Sequence, residues 1–211
     1  FSIGGRAVIA VEQAGDMSLA QSLRENGRSS IDELRLFGRN LFDALDHLTG
    51  KTVWHRDIKP DNLGVRKRRN GSKELVLFDF SLAHVRKTDL QSGTLAYLDP
   101  FLGPPRRPEY DEHAERYSAA VTLHEIASAE LPVWGDGAVE AGFTTDRLPS
   151  ISTEAFDPVL RDGLLTFFSK ALHRDTDERF ATLDQMRAAW EQIFIDTGSA
   201  RPSQGATAVQ G

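Results

Sequence analysis

Across residues 117–131, Ala119, Ala120, Val121, Leu123, Ile126 and Ala127 cover most of the circumference of a helix. A helix that is apolar nearly all round has no face to offer water. It must run through the middle of a domain, with other elements packed around it. The 211 residues suffice for that, since such a chain makes one domain, or one and a half, and buries roughly 70% of its unfolded surface. Hydrophobic residues make up 40%, charged residues 27% and aromatic residues 9%. These are globular values, and they exclude a disordered, collagen-like or coiled-coil chain.

Helical spacing recurs on either side. Residues 18–26 read as a short helix ended by Gly27. Ser30 and Glu33 form a capping box, in which hydroxyl and carboxylate each satisfy an orphan amide at a helix start. Leu34, Phe37, Leu41, Leu45 and Leu48 follow at helical intervals as far as Gly50. Residues 158–173 predict another helix. Thr182 with Gln185 caps a last one, striped by Met186, Trp190, Ile193 and Phe194.

Strands are few. Residues 7–11 read as a buried strand, and residues 63–65 and 75–78 as a hairpin joined through the turn signal Asn70-Gly71. That places the basic run Arg66-Lys67-Arg68-Arg69 on a solvated hairpin arm. Residues 84–112 are rich in proline and lack periodicity, the mark of a long functional loop. After Thr197 the composition falls to small and polar residues, as in a linker. The predicted class is α+β, mainly α.

With 25 basic and 31 acidic residues the net charge is −6, which argues against general nucleic-acid binding. No apolar run approaches the ~18 residues of a membrane span. There is no cysteine, which excludes disulfides and thiolate chemistry and fits a reducing cytoplasm. Four of the six histidines, His84, His113, His124 and His173, show no metal-ligand spacing. The chain opens on Phe1, so it reads as a piece of a longer protein.

The informative stretch is His55-Arg56-Asp57-Ile58-Lys59-Pro60-Asp61-Asn62. Two acceptor side chains five apart, with a lysine between them, make poor sense as packing and good sense for phosphoryl transfer. A carboxylate can orient and deprotonate a hydroxyl, a lysine can offset charge on the moving phosphate, and an amide can hold a metal. Asp79, in Leu77-Phe78-Asp79-Phe80-Ser81, ends an apolar strand, where burial is costly unless the carboxylate meets a cation.

These two stretches resemble the catalytic loop and metal-binding motif of eukaryotic-like serine/threonine protein kinases, H-R-D-x-K-P-x-N and D-F-G, with Ser81 in place of the glycine. The resemblance implies ATP and Mg2+ as cofactors. By position, Asp57 would be the catalytic base and Lys59 the phosphate-stabilising lysine. Asn62 and Asp79 would hold magnesium. Arg56 would pair with a phosphorylated activation loop, if that control operates, with Thr88 and Ser92 as candidate phosphosites. Val11 would be the gatekeeper, and Glu12 and Ala14 would meet the adenine at the hinge. Ser92-Gly93-Thr94-Leu95-Ala96-Tyr97 resembles the segment before the substrate-binding turn, so Thr94 would bond Asp57 and Lys59. His55 and Phe80 would stack in a hydrophobic spine.

Several departures accompany the match. The usual A-P-E ending reads Asp99-Pro100-Phe101, so Arg179 lacks its glutamate partner, leaving Asp99 or an acid not yet placed. Glu115 stands where the family starts its central helix with aspartate. Ser81 stiffens the metal loop, lacking glycine's backbone freedom. The stretches Tyr97-Leu98-Asp99-Pro100-Phe101-Leu102-Gly103 and Pro132-Val133-Trp134-Gly135-Asp136-Gly137 resemble the large serine/threonine kinase of bacterial phage-exclusion (BREX) defence systems.

The resemblance begins at strand five. It implies a last N-lobe strand and hinge over residues 1–16, a C-lobe over 17–196 and a flexible tail over 197–211. The glycine-rich loop, the strand-three lysine and the regulatory-helix glutamate would lie upstream, so the fragment alone would be nearly inactive. The expected partners are a protein substrate, including the kinase itself, and other domains of the parent, with no membrane or direct nucleic-acid contact. Two alternatives are a pseudokinase scaffold, for which Ser81 and Phe101 argue mildly and against which the intact Asp57, Lys59, Asn62 and Asp79 argue, and a small-molecule kinase, which Lys59-Pro60 and the long loop disfavour.

Overall fold

The computed structural model describes residues 2–3, 6–7, 13–69, 71–138 and 141–200. Its elements run β1 (Ser2–Ile3), β2 (Arg6–Ala7), β3 (Met17–Ser18), α1 (Leu19–Asn26), α2 (Ile31–Gly50), β4 (Leu63–Lys67), β5 (Lys73–Leu77), α3 (Glu112–Ser128), α4 (Arg161–Ala171) and α5 (Leu183–Ala200). β1 and β2 pair antiparallel. Residues 8–12, most of the strand expected over residues 7–11, lie outside the described residues.

The helix starts follow their capping chemistry. Ser18 accepts from the Gln21 amide ahead of α1, and Gly27 ends that helix at a φ of 73°. Ser30 and Glu33 make the reciprocal capping box of α2. Asp111 accepts from the Ala114 amide, and so starts α3 five residues earlier than the apolar pattern alone predicts. Helix α3 stops where Ala129 enters the left-handed region at a φ of 61°. Helix α5 continues to Ala200, past the Thr197 boundary drawn from composition.

Every residue of α3 from Ala114 to Ser128 except Glu125 is buried, the position its all-round apolar sequence requires. Its buried polar and charged side chains are Glu115, Arg116, Ser118, Thr122, His124 and Ser128, and several of them hold loops. Ser118 Oγ donates to the Tyr97 carbonyl at 2.8 Å, and Thr122 Oγ1 to the Ile58 carbonyl at 3.2 Å. On the other side of the core, Trp190 of α5 meets the rings of Phe42, Phe167, Phe168 and Phe194. Gly38 lets α2 approach it: a Cβ there would stand 2.1 Å from the Trp190 indole nitrogen. Arg39 clamps Glu191 with two bonds of 2.5 and 2.7 Å, tying α2 to α5 at the surface.

The sheet is small, antiparallel and ordered β3-β4-β5. Met17 faces Val65, and Leu63 faces Leu77. The basic hairpin arm is partly neutralised, because Arg66 and Arg68 both pair with Glu74; Asn70 of the predicted turn lies outside the described residues. Among the described residues, no helix is long and apolar enough to cross a membrane.

Candidate active site

The site hangs from the buried end of α3. The Glu115 carboxylate accepts from the backbone amides of His55 at 2.6 Å and Arg56 at 3.2 Å, and from the Tyr110 hydroxyl at 2.5 Å. Burial pushes the Glu115 carboxyl up against these stabilising bonds. The loop from residue 53 to 62 is thus pinned by a carboxylate from the core rather than by a strand ladder. The longer side chain at position 115 still reaches both amides.

Asp57 and Lys59 follow in that loop, and the structure brings Thr94 to them from a segment 35 residues away. Lys59 Nζ donates to Asp57 Oδ2 at 2.7 Å and to Thr94 Oγ1 at 2.5 Å; Thr94 Oγ1 donates to Asp57 Oδ1 at 2.7 Å. Asn62 Nδ2 adds bonds to the Asp57 carbonyl at 2.8 Å and to Oδ2 at 2.9 Å. Burial works against the Asp57 charge. The Lys59 bond, the Thr94 hydroxyl and Asn62 outweigh it and hold the carboxyl below its usual range. Asp57 is therefore ionised at neutral pH, an acceptor held in place by three side chains.

Asp79 follows β5 with a φ of 65°, a left-handed turn that throws its carboxylate out of the strand. Its Oδ1 accepts from the Ser81 amide at 3.3 Å, and the residue is exposed. The two loops are cross-linked: the Phe78 amide donates to the Asn62 carbonyl at 3.0 Å, and His55 Nε2 bonds the Phe78 carbonyl at 2.8 Å. The His55 and Phe80 rings meet edge to face at 4.8 Å, as stacking rather than reactive groups.

Magnesium usually binds through one or two protein oxygens, with waters and substrate phosphates completing its octahedron. The residues present fit that pattern. The amide nitrogen of Asn62 is spent on Asp57, which leaves its oxygen end for an ion, and Asp79 offers an exposed carboxylate. Among the described residues no group of three histidine or acidic side chains forms a metal cage.

Beside Asp79 opens a cleft of about 880 Å³, lined by Ala14, Gly15, Met17, Gly64, Val76, Leu77, Phe78 and Phe80 among others. Its apolar walls suit a flat ring system. Gly64 is small for a local reason: a Cβ would stand 2.8 Å from the Ala14 backbone. Ala14 thus lies at the cleft, while Val11 and Glu12 lie outside the described residues.

The loop following Asp79 has its own anchors. Arg179 bonds both oxygens of Asp99, at 2.6 and 3.2 Å, and Arg107 joins the same carboxylate at 2.5 Å. Asp99 is thereby the acid that serves Arg179. Phe101, which occupies the usual glutamate position, packs edge to face on Trp134 at 4.9 Å and under the Arg174 guanidinium at 4.7 Å. Arg56 contacts backbone carbonyls of Val85, Arg86 and Asp89. Sequence reasoning missed Tyr110 and Arg107. Arg107 had a signal, since it stands four residues before the capping Asp111 and bonds it at 2.9 and 2.6 Å; Tyr110 had none.

Comparison with known proteins gives the family. A profile of the protein kinase domain matches residues 3–191. "Probable kinase PglW" of Streptomyces coelicolor is 48% identical over 97% of the chain. A probable serine/threonine-protein kinase of the same organism is 28% identical over 93% of the chain, and serine/threonine-protein kinase pkn3 of Myxococcus xanthus 24% over 90%. The chain spans only 15%, 29% and 36% of these three relatives.

Proposed function

The chain belongs to the protein kinase family, and on that premise we propose that it carries the catalytic part of a serine/threonine kinase that moves the γ-phosphate of ATP to a protein hydroxyl. The observation that carries this reading is the ring Asp57–Lys59–Thr94, braced by Asn62. Asp57 orients the incoming hydroxyl and takes its proton as the new phosphorus–oxygen bond forms. Lys59 offsets charge on the transferred group. Thr94 fixes both and links them to the segment on which a peptide would lie.

Ala14 would meet the adenine at the cleft; by the resemblance, Glu12 would share that hinge role and Val11 would be the gatekeeper. Asn62 and Asp79 would hold Mg2+, which when bound neutralises charge on the phosphate oxygens. In this reading turnover also needs a glycine-rich loop, a strand-three lysine and a regulatory-helix glutamate, so the 211 residues alone turn over negligibly. The motif endings around Asp99 and Trp134 favour a kinase of the phage-exclusion type, whose protein substrates would include itself, and the absence of cysteine suits a cytoplasmic one.

A small-alcohol kinase is the less favoured reading, because Lys59-Pro60 and a long segment through Thr94 and Asp99 suit a peptide acceptor, and a small alcohol needs no such segment. The test incubates full-length protein and labelled Mg·ATP with casein, and separately with choline and an aminoglycoside. Label on casein serine or threonine is expected. Label on a small alcohol, or nucleotide binding with no transfer to any acceptor, would contradict the proposal.

A further inference from the structure

Arg56, beside the proposed base, is enclosed by the chain itself. It is 1% exposed. Nη1 donates to the carbonyls of Val85 and Arg86, each at 2.8 Å, and Nη2 donates to the carbonyl of Asp89. The guanidinium stacks 4.6 Å from the centre of the Tyr110 ring. Nε has no partner, but it is shut off from solvent as well. No face of this arginine is open to an arriving phosphate.

Asp89 carries the other half of the contact. While its carbonyl takes Arg56, its carboxylate accepts from the Ser92 hydroxyl at 2.8 Å and from the Gln91 amide at 3.3 Å. The Ser92 hydroxyl, then the Gln91 amide and the Arg56 charge, hold the Asp89 carboxyl below its usual range against a lesser effect of burial. The turn leads straight into Gly93, at a φ of 136°, where a Cβ would stand 2.8 Å from the Arg56 carbonyl. Thr94 comes next, on Asp57 and Lys59. The position of Thr94 is therefore set by the turn from Asp89 to Gly93.

Building on the kinase reading, we propose that Arg56 and Asp89 hold this segment in its working arrangement without any phosphate, and that phosphorylation of Ser92 dismantles the arrangement and lowers activity. The modifying transfer forms an Oγ–P bond on Ser92, breaks the bond from the γ-phosphorus of ATP to its bridging oxygen, and releases ADP and the hydroxyl proton. The product carries about −1.5 to −2 charges and only acceptor oxygens where a donor stood. It meets the Asp89 carboxylate as a like charge, and the arginine that could have taken it is enclosed. Thr88 is exposed, and a phosphate there finds the Arg56 guanidinium equally enclosed.

The test uses the full-length kinase, stripped by phosphatase and shown phosphate-free by intact mass. Casein phosphorylation is measured beside hydrogen exchange of the Tyr97 and Leu98 amides, both of which bond the Thr94 carbonyl. Phosphate-free protein and Thr88→Ala should keep activity within about threefold, with both amides protected. Protein phosphorylated at Ser92, and Ser92→Asp, should lose roughly tenfold or more and exchange faster, with α3 amides unchanged as the control for folding. A tenfold loss on dephosphorylation that rephosphorylation restores would overturn the proposal. If no form labels casein, the kinase reading fails, and exchange still decides: protection kept without phosphate and lost with it supports the proposal, and the reverse overturns it.

Discussion

Arg179 forms a two-bond ion pair with Asp99, 80 residues earlier in the chain, at 2.6 and 3.2 Å, and the Asp99 side chain is wholly enclosed. The Arg179 guanidinium also lies 4.9 Å from the centre of the Tyr117 ring, on the central helix. The long loop after Asp79 is tied to the core at this point. The Phe101 ring occupies the neighbouring position, where a carboxylate is usual, and packs as an aromatic.

Removing one member of such a pair leaves a buried charge without compensation. Asp99→Ala should destabilise the chain by about 3–5 kcal/mol, read from urea unfolding. Phe101→Glu, which restores the usual acid, should not rescue it, because Arg179 and Arg107 are arranged around position 99. Full rescue would show that the pair is interchangeable.

The Glu115 carboxylate supports the loop bearing Asp57. Glu115→Gln keeps the shape but turns one acceptor oxygen into a donor facing backbone amides. A loss of about 2 kcal/mol is expected, the scale of a hydrogen bond to a charged group. Glu115→Asp should cost less, since it keeps both acceptors. Equal losses in the two variants would show that length, not charge, decides.

Lys59 is the cation that keeps Asp57 ionised most strongly, against the opposing effect of burial. An acid whose folded value is depressed is charged above that value and gains its proton as pH falls through it. Lys59→Ala should therefore raise the Asp57 value, visible in a carbon-13 NMR titration of the carboxyl group. An unchanged titration would remove Lys59 from the account of the site.

Burial depresses the His124 imidazole to about 4. It bonds the Glu130 carbonyl at 2.9 Å and accepts from the Ser152 amide at 3.3 Å, and it meets the Phe156 and Phe168 rings edge to face. The unfolded chain takes up a proton below pH 6.5 that the folded one refuses until about 4. Stability contributed by the neutral ring is thus full above 6.5 and declines below it, by about 2 kcal/mol between pH 7 and 5. Urea midpoints at the two pH values, compared with His124→Phe, measure this. A variant with the same pH dependence as the parent would contradict it.

The fold was legible wherever one residue pattern decides one element. The capping box at Ser30, the stripe ending at Phe194 and the β4–β5 hairpin all sit where their local chemistry puts them. Boundaries were less so: α3 begins at its Asp111 cap, while the apolar pattern becomes continuous only from Tyr117. In the site, Asp57, Lys59 and Asn62 share one loop, and Thr94 came with a motif. Tyr110 was invisible because its role exists only once Arg56 and Glu115 converge on it. The bonding of Arg56 to three carbonyls was equally hidden, since backbone acceptors carry no sequence signature.

The most direct measurement of the central claim is phosphate transfer from labelled Mg·ATP to casein by the full-length protein, beside Asp57→Asn and Asp79→Asn. The account predicts label on serine and threonine that falls at least about 100-fold in both variants, because one loses its proton acceptor and the other a carboxylate for the metal. Transfer that survives in Asp57→Asn would contradict it.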